Sequence, residues 1–329
     1  MPPTRPLRLA AVLASAALVA AGLAGCSAGG PGGCTPGAAS GEGSDSVTAS
    51  GRFGTSPTIR FETPLHVPTT EVSTLIPGSG AGVVEGQELV ADLTILDGTT
   101  GKVVSKTDYT GKADPTGATG PANVVVSSKL PSKGLRSALL CAQAGERLAA
   151  VIPPDQGFAP GALGPDVKAG DSIVAVVDVR KTYLARANGT NQVMSGGLPS
   201  VVLGPDGRPG ITIPPTPAPK QLEVSDLKKG SGPVLQRGDT AVVHYTGVLW
   251  SATPSVFDST WQNGAPVDLP LKTGNGGVVK GFVTALAGQR VGSQVLAILP
   301  PDEAYGSTGN GTVPGDATLV FVVDILGKA

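Results

Sequence analysis

Residues 295–305, VLAILPPDEAY, repeat the pattern of residues 148–158, LAAVIPPDQGF, 147 positions further along the chain. Each reads as an apolar run of strand length ended by a Pro-Pro-Asp turn. At the same offset KGLRSAL (133–139) faces KGFVTAL (280–286). Further upstream the offset becomes 152. There GQELVADL (86–93) faces GDTAVVHY (238–245), GSG (78–80) faces GSG (230–232), EVS (71–73) faces EVS (223–225), and SPTI (56–59) faces RPGI (208–211). Blocks that keep one order over this length mark an internal duplication: two copies of a unit of about 110 residues, each with a Pro-rich lead-in.

Within the second copy, AVVHYTGVLW (241–250), PVDLPL (266–271), VLAILP (295–300) and ATLVFVVDIL (317–326) read as strands, being β-branched, alternating or continuously apolar. GFVTALAGQ (281–289) has room for two helical turns at most. The class is α+β, mostly antiparallel strands around one short helix. With 48 Gly and 30 Pro in 329 residues an all-helical protein is excluded, and these residues belong to turns and linkers.

Lys and Arg number 24 against 25 Asp and Glu, without a basic block, which excludes a nucleic-acid groove. Two His and three scattered Cys give neither a zinc site nor a Cys-x-x-Cys redox pair, so no metal or cofactor is expected. Arg5 and Arg8 precede the apolar run 9–24, and LAGC (23–26) resembles the bacterial lipobox. Residues 1–25 thus read as a lipoprotein signal peptide, Cys26 as the lipidated residue, and 26–50 as a flexible Gly/Ser-rich tether. The expected place is the extracytoplasmic face of the cell membrane. Cys34 and Cys141 then sit in an oxidising setting, open to a disulfide, or Cys141 is a buried free thiol in SALLCAQ. Residues 185–219, with PPTPAP, read as a Pro-rich linker whose VVLGPDGRPGITI stretch can pair with a neighbouring sheet.

The second copy resembles the FKBP-type peptidyl-prolyl isomerases through GDTAVVHYTG (238–247), VFDST (256–260), VVKGF (278–282), PPDEAYG (300–306) and ATLVF (317–321), in the family's order and near its spacing. The resemblance implies two antiparallel half-barrels, each wrapped on one short helix: a degenerate copy over 51–184 and an isomerase domain over 220–329. It implies apolar walls at Tyr245, Phe257 and Phe321, a further wall at Val267 where the family carries Phe, a lip at Val278 and Val279, and a floor at Phe282 in place of the usual Trp. It puts Asp258 and Tyr305 at the pocket edge and has the Val279 N–H donate to a substrate carbonyl. Asp258, Tyr305 and Tyr245 are the catalytic candidates. Implied partners are proline-containing polypeptides, with macrolide inhibitors as further ligands. The loop STGNGTVPG (307–315) is one residue shorter than the family's, with Asn310 and Thr312 where His and Ile are common. Peptide preference and macrolide affinity are where these departures should tell.

Such chemistry needs no nucleophile. Rotating an Xaa-Pro bond breaks amide resonance, a barrier of about 18–20 kcal/mol, and a dry apolar pocket favours the less charge-separated twisted form. Asp258 either orients the Tyr245 hydroxyl or acts on the rotating carbonyl. The first copy has Leu93, Phe158 and Leu135 at the positions of Tyr245, Tyr305 and Phe282, and GKVVSKTDY (101–109) offers no convincing match to VFDST. It is expected to be inactive, a spacer or docking module. Assisted folding of exported proteins is the expected role, and a non-catalytic proline-peptide binder is the rival.

Overall fold

Both copies fold as strands of their own sheet in the computed structural model, which describes residues 33–112, 120–194 and 196–329. The signal-peptide reading of 1–25 and the lipidation of Cys26 lie outside the described residues. The chain opens with α1 (Glu42–Ser46) and the hairpin β1 (Thr48–Ser50) and β2 (Thr58–Arg60). The first sheet follows: β3 (Glu71–Ile76), β4 (Glu88–Asp97), β5 (Val103–Lys106), β6 (Ala122–Val125), helix α2 (Lys133–Leu139), β7 (Arg147–Ile152) and β8 (Ile173–Thr182). Next come β9 (Thr190–Asn191) and the hairpin β10 (Ser200–Leu203) and β11 (Pro209–Thr212). The second sheet has β12 (Glu223–Lys229), β13 (Thr240–Leu249), β14 (Val256–Ser259), helix α3 (Thr260–Asn263), β15 (Val267–Pro270), helix α4 (Lys280–Leu286), β16 (Gln294–Leu299) and β17 (Leu319–Lys328).

Strand order is β3-β7-β8-β4-β5 with β6 also on β4, and β12-β16-β17-β13-β14 with β15 also on β13; β9 extends the second sheet beyond β12. The two orders correspond strand for strand, and so do their irregularities. The β4–β8 ladder slips between Val90 and Ala91, and the β13–β17 ladder slips between Val242 and Val243, 152 residues on. In each unit a glycine lets the helix lie close to the sheet. A Cβ at Gly134 would come within 2.3 Å of Ile152, and one at Gly281 within 2.7 Å of Leu299. Leu135, Ala138 and Leu139 of α2, and Phe282, Val283, Ala285 and Leu286 of α4, fill the two main cores.

The duplicated unit extends upstream of its first sequence blocks, SPTI and RPGI, which already reach β2 and β11. Hairpins β1–β2 and β10–β11 are also 152 residues apart and pair in the same register. Each covers the outer face of its sheet: Ala49, Ile59 and Phe61 pack on Ala149, Val151, Val174 and Val176, while Val201, Ile211 and Ile213 pack on Leu296, Ile298, Val320 and Val322. This corrects two expectations. Residues 33–50 are folded against the first unit rather than forming a flexible tether, and within 185–219 the VVLGPDGRPGITI stretch pairs with itself as β10–β11 and lies on the sheet face instead of joining a neighbouring sheet. The cause is visible in β7 and β16, buried at every position, because strands apolar on both faces need cover on both.

A disulfide joins Cys34 to Cys141, with Cα atoms 5.7 Å apart, so the free-thiol alternative falls. It fastens the incoming chain to the turn after α2. Cys141 holds φ +71° there, a left-handed conformation for which the second unit uses Gly288 at φ +94°.

Each outer face also has a polar anchor for its lead-in. In the first unit Arg147 and Asp178, both fully buried, form a two-point ion pair at 2.6 and 2.8 Å, and the Gly54 N–H donates to Asp178 at 2.6 Å. At the same ladder position the second unit has Gln294 and Asp324, bonded at 2.6 Å, with the Ala187 N–H donating to Asp324 at 2.8 Å.

Candidate functional site

The second unit's inner face carries a cavity of about 370 Å³ lined by Tyr245, Phe257, Asp258, Leu269, Gly277, Val278, Val279, Phe282, Tyr305, Asn310 and Phe321. Eight of the nine residues proposed from sequence for catalysis and substrate binding meet here. The ninth, Val267, packs against the same core without lining the cavity, and Leu269, two positions along β15, takes the wall. Alternation in PVDLPL marked both as facing one side but could not say which one reaches the opening.

Rings build most of the wall. Phe321 on β17 is their hub, edge-on to Tyr245 (5.9 Å, 69°), Phe257 (5.5 Å, 86°) and Phe282 (5.1 Å, 89°). Gly247 makes room for them, since a Cβ there would fall 2.7 Å from Phe257 and 2.8 Å from Phe321. The sequence signal for it was YTG itself, a glycine interrupting a β-branched strand.

Polar groups are few. The Tyr245 hydroxyl donates to Asp258 Oδ2. Burial, followed by that hydrogen bond, pushes the Tyr245 phenol well above its ordinary value, so it keeps its proton and remains a donor. This hydrogen bond is the contact that the orienting role of Asp258 requires. At the start of α4, Val278 N–H is taken by the Lys272 carbonyl, and the Val279 carbonyl accepts from Phe282. The Val279 N–H has no acceptor among the described residues, and no side chain caps the helix. This leaves a main-chain donor at the cavity wall.

His244 stands on the opposite face of β13. It is buried, its Nδ1 lies 2.9 Å from Thr260 Oγ1, and burial lowers its pKa to about 4, which keeps it neutral. GNGG (274–277) forms the turn before α4.

Strand register supplies the first unit's counterparts. Leu93 and Val177 pair as Tyr245 and Val323 do, Ala175 occupies the place of Phe321, and Ser105 that of Asp258. The VFDST block thus has a partner after all, β5, which shares its position but neither its rings nor its carboxylate.

The family model described as FKBP-type peptidyl-prolyl cis-trans isomerase matches residues 232–326. An FK506-binding protein of Streptomyces anulatus is 38% identical over 122 residues, 36% of this chain and 95% of that protein. A probable FK506-binding protein of Corynebacterium glutamicum is 35% identical over 119 residues, 36% of this chain and 97% of that one. The crystal structure of the three FKBP domains of wheat FKBP73 aligns with 79% of this chain and 94% of its own, at 19% identity and a TM-score of 0.33.

Proposed function

The chain belongs to the FKBP-type peptidyl-prolyl cis-trans isomerases, and from that premise we propose that the cavity around Phe321 is its catalytic pocket. The observation that carries this is the meeting of four rings, one carboxylate-bound phenol and one unpaired main-chain N–H around a single opening. In this reading a prolyl ring enters against Phe282, with Tyr245, Phe257, Leu269 and Phe321 as walls and Val278 and Val279 as the lip. The Val279 N–H and Tyr305 hold the carbonyl groups on either side of the bond. Asp258 fixes the Tyr245 hydroxyl, and the dry surroundings lower the barrier by favouring the twisted amide. FK506-like macrolides would compete for the same walls.

The wider reading is that of an exported chaperone. We take residues 1–25 as a signal peptide and Cys26 as lipidated, which holds the protein at the extracytoplasmic face of the cell membrane, where it assists folding of exported proteins. Each sheet is read as a half-barrel wrapped on its helix. Catalysis is assigned to the 220–329 domain with its lead-in from Ala187, and the 51–184 copy serves as a docking or spacing module.

The test is cis/trans exchange of an Xaa-Pro peptide, followed by NMR, with the full chain. Tyr305→Phe and Asp258→Leu should each slow exchange about tenfold, the worth of about 1.4 kcal/mol in the transition state. Wild-type exchange rates in both variants, with peptide still bound, would hand the site to the rival reading of a non-catalytic binder.

A further inference from the structure

Neighbouring residues of β13 point to opposite faces of the sheet. Tyr245 faces the isomerase cavity, while His244 lines a larger one of about 610 Å³ between the two units. Ser128 and Lys129 of the first unit, Arg186 of the connecting segment, and His244 and Trp261 of the second unit contribute to its walls. The His244 ring stacks on Trp261 with centroids 4.1 Å apart and 23° between planes, giving one flat aromatic wall.

The charge left unpaired in this cleft, among the described residues, is one-sided. The Trp261 indole N–H is buried without a partner. Among the described residues Lys129 donates to the Asn263 carbonyl at 2.8 Å and Arg186 to the Pro205 carbonyl at 3.4 Å, and neither forms an ion pair; Arg186 acts on buried Asp324 only through space. The two carboxylates in the lining are already engaged, Glu85 with Arg136 at 2.8 Å and Asp206 with Arg208 at 3.8 Å. Two cations without an ion pair among the described residues therefore stand beside an aromatic wall, while both lining carboxylates are held by arginines.

We propose that this cleft is a second polypeptide-binding site, for a segment that carries an acidic side chain beside an apolar one. The carboxylate binds Lys129 and Arg186, and the apolar group lies on the His244–Trp261 stack. Its volume falls within the range of about 300–1,000 Å³ usual for ligand cavities. A polypeptide is favoured because the enzyme acts on one and because both cavities share a wall. Phe257 and Asp258 face one side of the β14–α3 segment and Trp261 and Asn263 the other, and Thr260 Oγ1 lies 2.9 Å from both the Tyr245 main-chain N and His244 Nδ1. The inference stands apart from the catalytic roles proposed for Asp258 and Tyr305.

Trp250→Phe in the full chain leaves Trp261 as the sole tryptophan. Titration with the blocked peptide acetyl-Ala-Glu-Leu-Glu-Ala-amide should shift its emission and its indole N–H resonance saturably. The Gln analogue of the peptide, and the Lys129→Ala and Arg186→Ala variants, should each bind about tenfold more weakly, and the double variant should not respond. Prolyl isomerisation by these variants should match wild type; a misfolded variant loses both readouts, whereas a failed catalytic reading shows in the isomerisation assay alone. No response to the acidic peptide, an equal response to its Gln analogue, or a response that survives the double variant overturns the proposal. So does an equal response to inorganic phosphate, which would make the cleft a simple anion site.

Discussion

Helix α2 begins at Ser132, whose hydroxyl accepts the Leu135 N–H; helix α4 begins at the same position with Val279 and no side-chain cap. In α4 the matching N–H, that of Phe282, bonds to the Val279 carbonyl instead, so one unit closes the helix start with a side chain and the other with its own main chain. A sharper contrast runs through the walls, where Phe321 stands against Ala175, Phe282 against Leu135, Tyr305 against Phe158 and Asp258 against Ser105. Strand order, register slips and close-packing glycines persist in both. The fold therefore rests on features that a pocket can lose without harm, and the pocket rests on a few rings that the fold does not need.

The outer faces show the reverse asymmetry, since there the first unit has the more demanding chemistry. Arg147→Ala strands the Asp178 carboxylate in a fully buried place and should destabilise the first unit by about 3–5 kcal/mol in urea unfolding. Gln294→Ala, the matching change, should cost about 1–2 kcal/mol, because Asp324, whose pKa burial raises, still accepts the Ala187 N–H. Equal losses would break the comparison. Next in size is the disulfide, which the second unit lacks. Cys34→Ser with Cys141→Ser frees a sequence separation of 107 residues and should lower stability by about 2–5 kcal/mol, read as a drop in the first thermal transition.

His244 and Glu88 sharpen the contrast by their opposite response to acid. The native His244 resists protonation down to about pH 4 against an ordinary 6.5, so an unfolded chain binds the proton first and stability falls as pH drops from about 6.5 to 4. His244→Asn should flatten that fall, worth up to about 3 kcal/mol. Glu88, raised to about 7 chiefly by burial and then by Asp268, contributes stability at low pH that is lost as pH rises from about 4.5 to 7. Glu88→Gln should remove that loss. The smallest expected effect is none: Phe158→Tyr should leave exchange of an Xaa-Pro peptide unchanged, because one hydroxyl does not replace the rings absent at Leu93, Leu135 and Ala175. Any gain in rate would mean that the first unit kept more of a pocket than its residues indicate.

Much of this was legible in the chain. The offsets of 147 and 152 gave both units, and VVKGF and PPDEAYG led to the cavity, because backbone-critical and ring residues sit in unbroken blocks. Two things escaped. Beyond the SPTI and RPGI blocks the lead-in hairpins share almost no residues, only an apolar alternation that Gly and Pro obscure, so their cover of the sheet faces did not show and local composition suggested tether and linker. The cleft between units escaped because its walls at Lys129, Arg186 and Trp261 come from three distant segments, and only packing brings them together.

The lead-in hairpins also bear on how the isomerase can be handled. A fragment beginning at residue 220 would lose β10 and β11, and with them the cover of Leu296, Ile298, Val320 and Val322. That fragment would present a contiguous apolar sheet face to water and invite self-association, even with its pocket intact. Starting before Ala187, so that its amide has a preceding residue, keeps both the hairpin and the N–H that Asp324 accepts. For this protein, solubility is encoded upstream of the residues that the family shares.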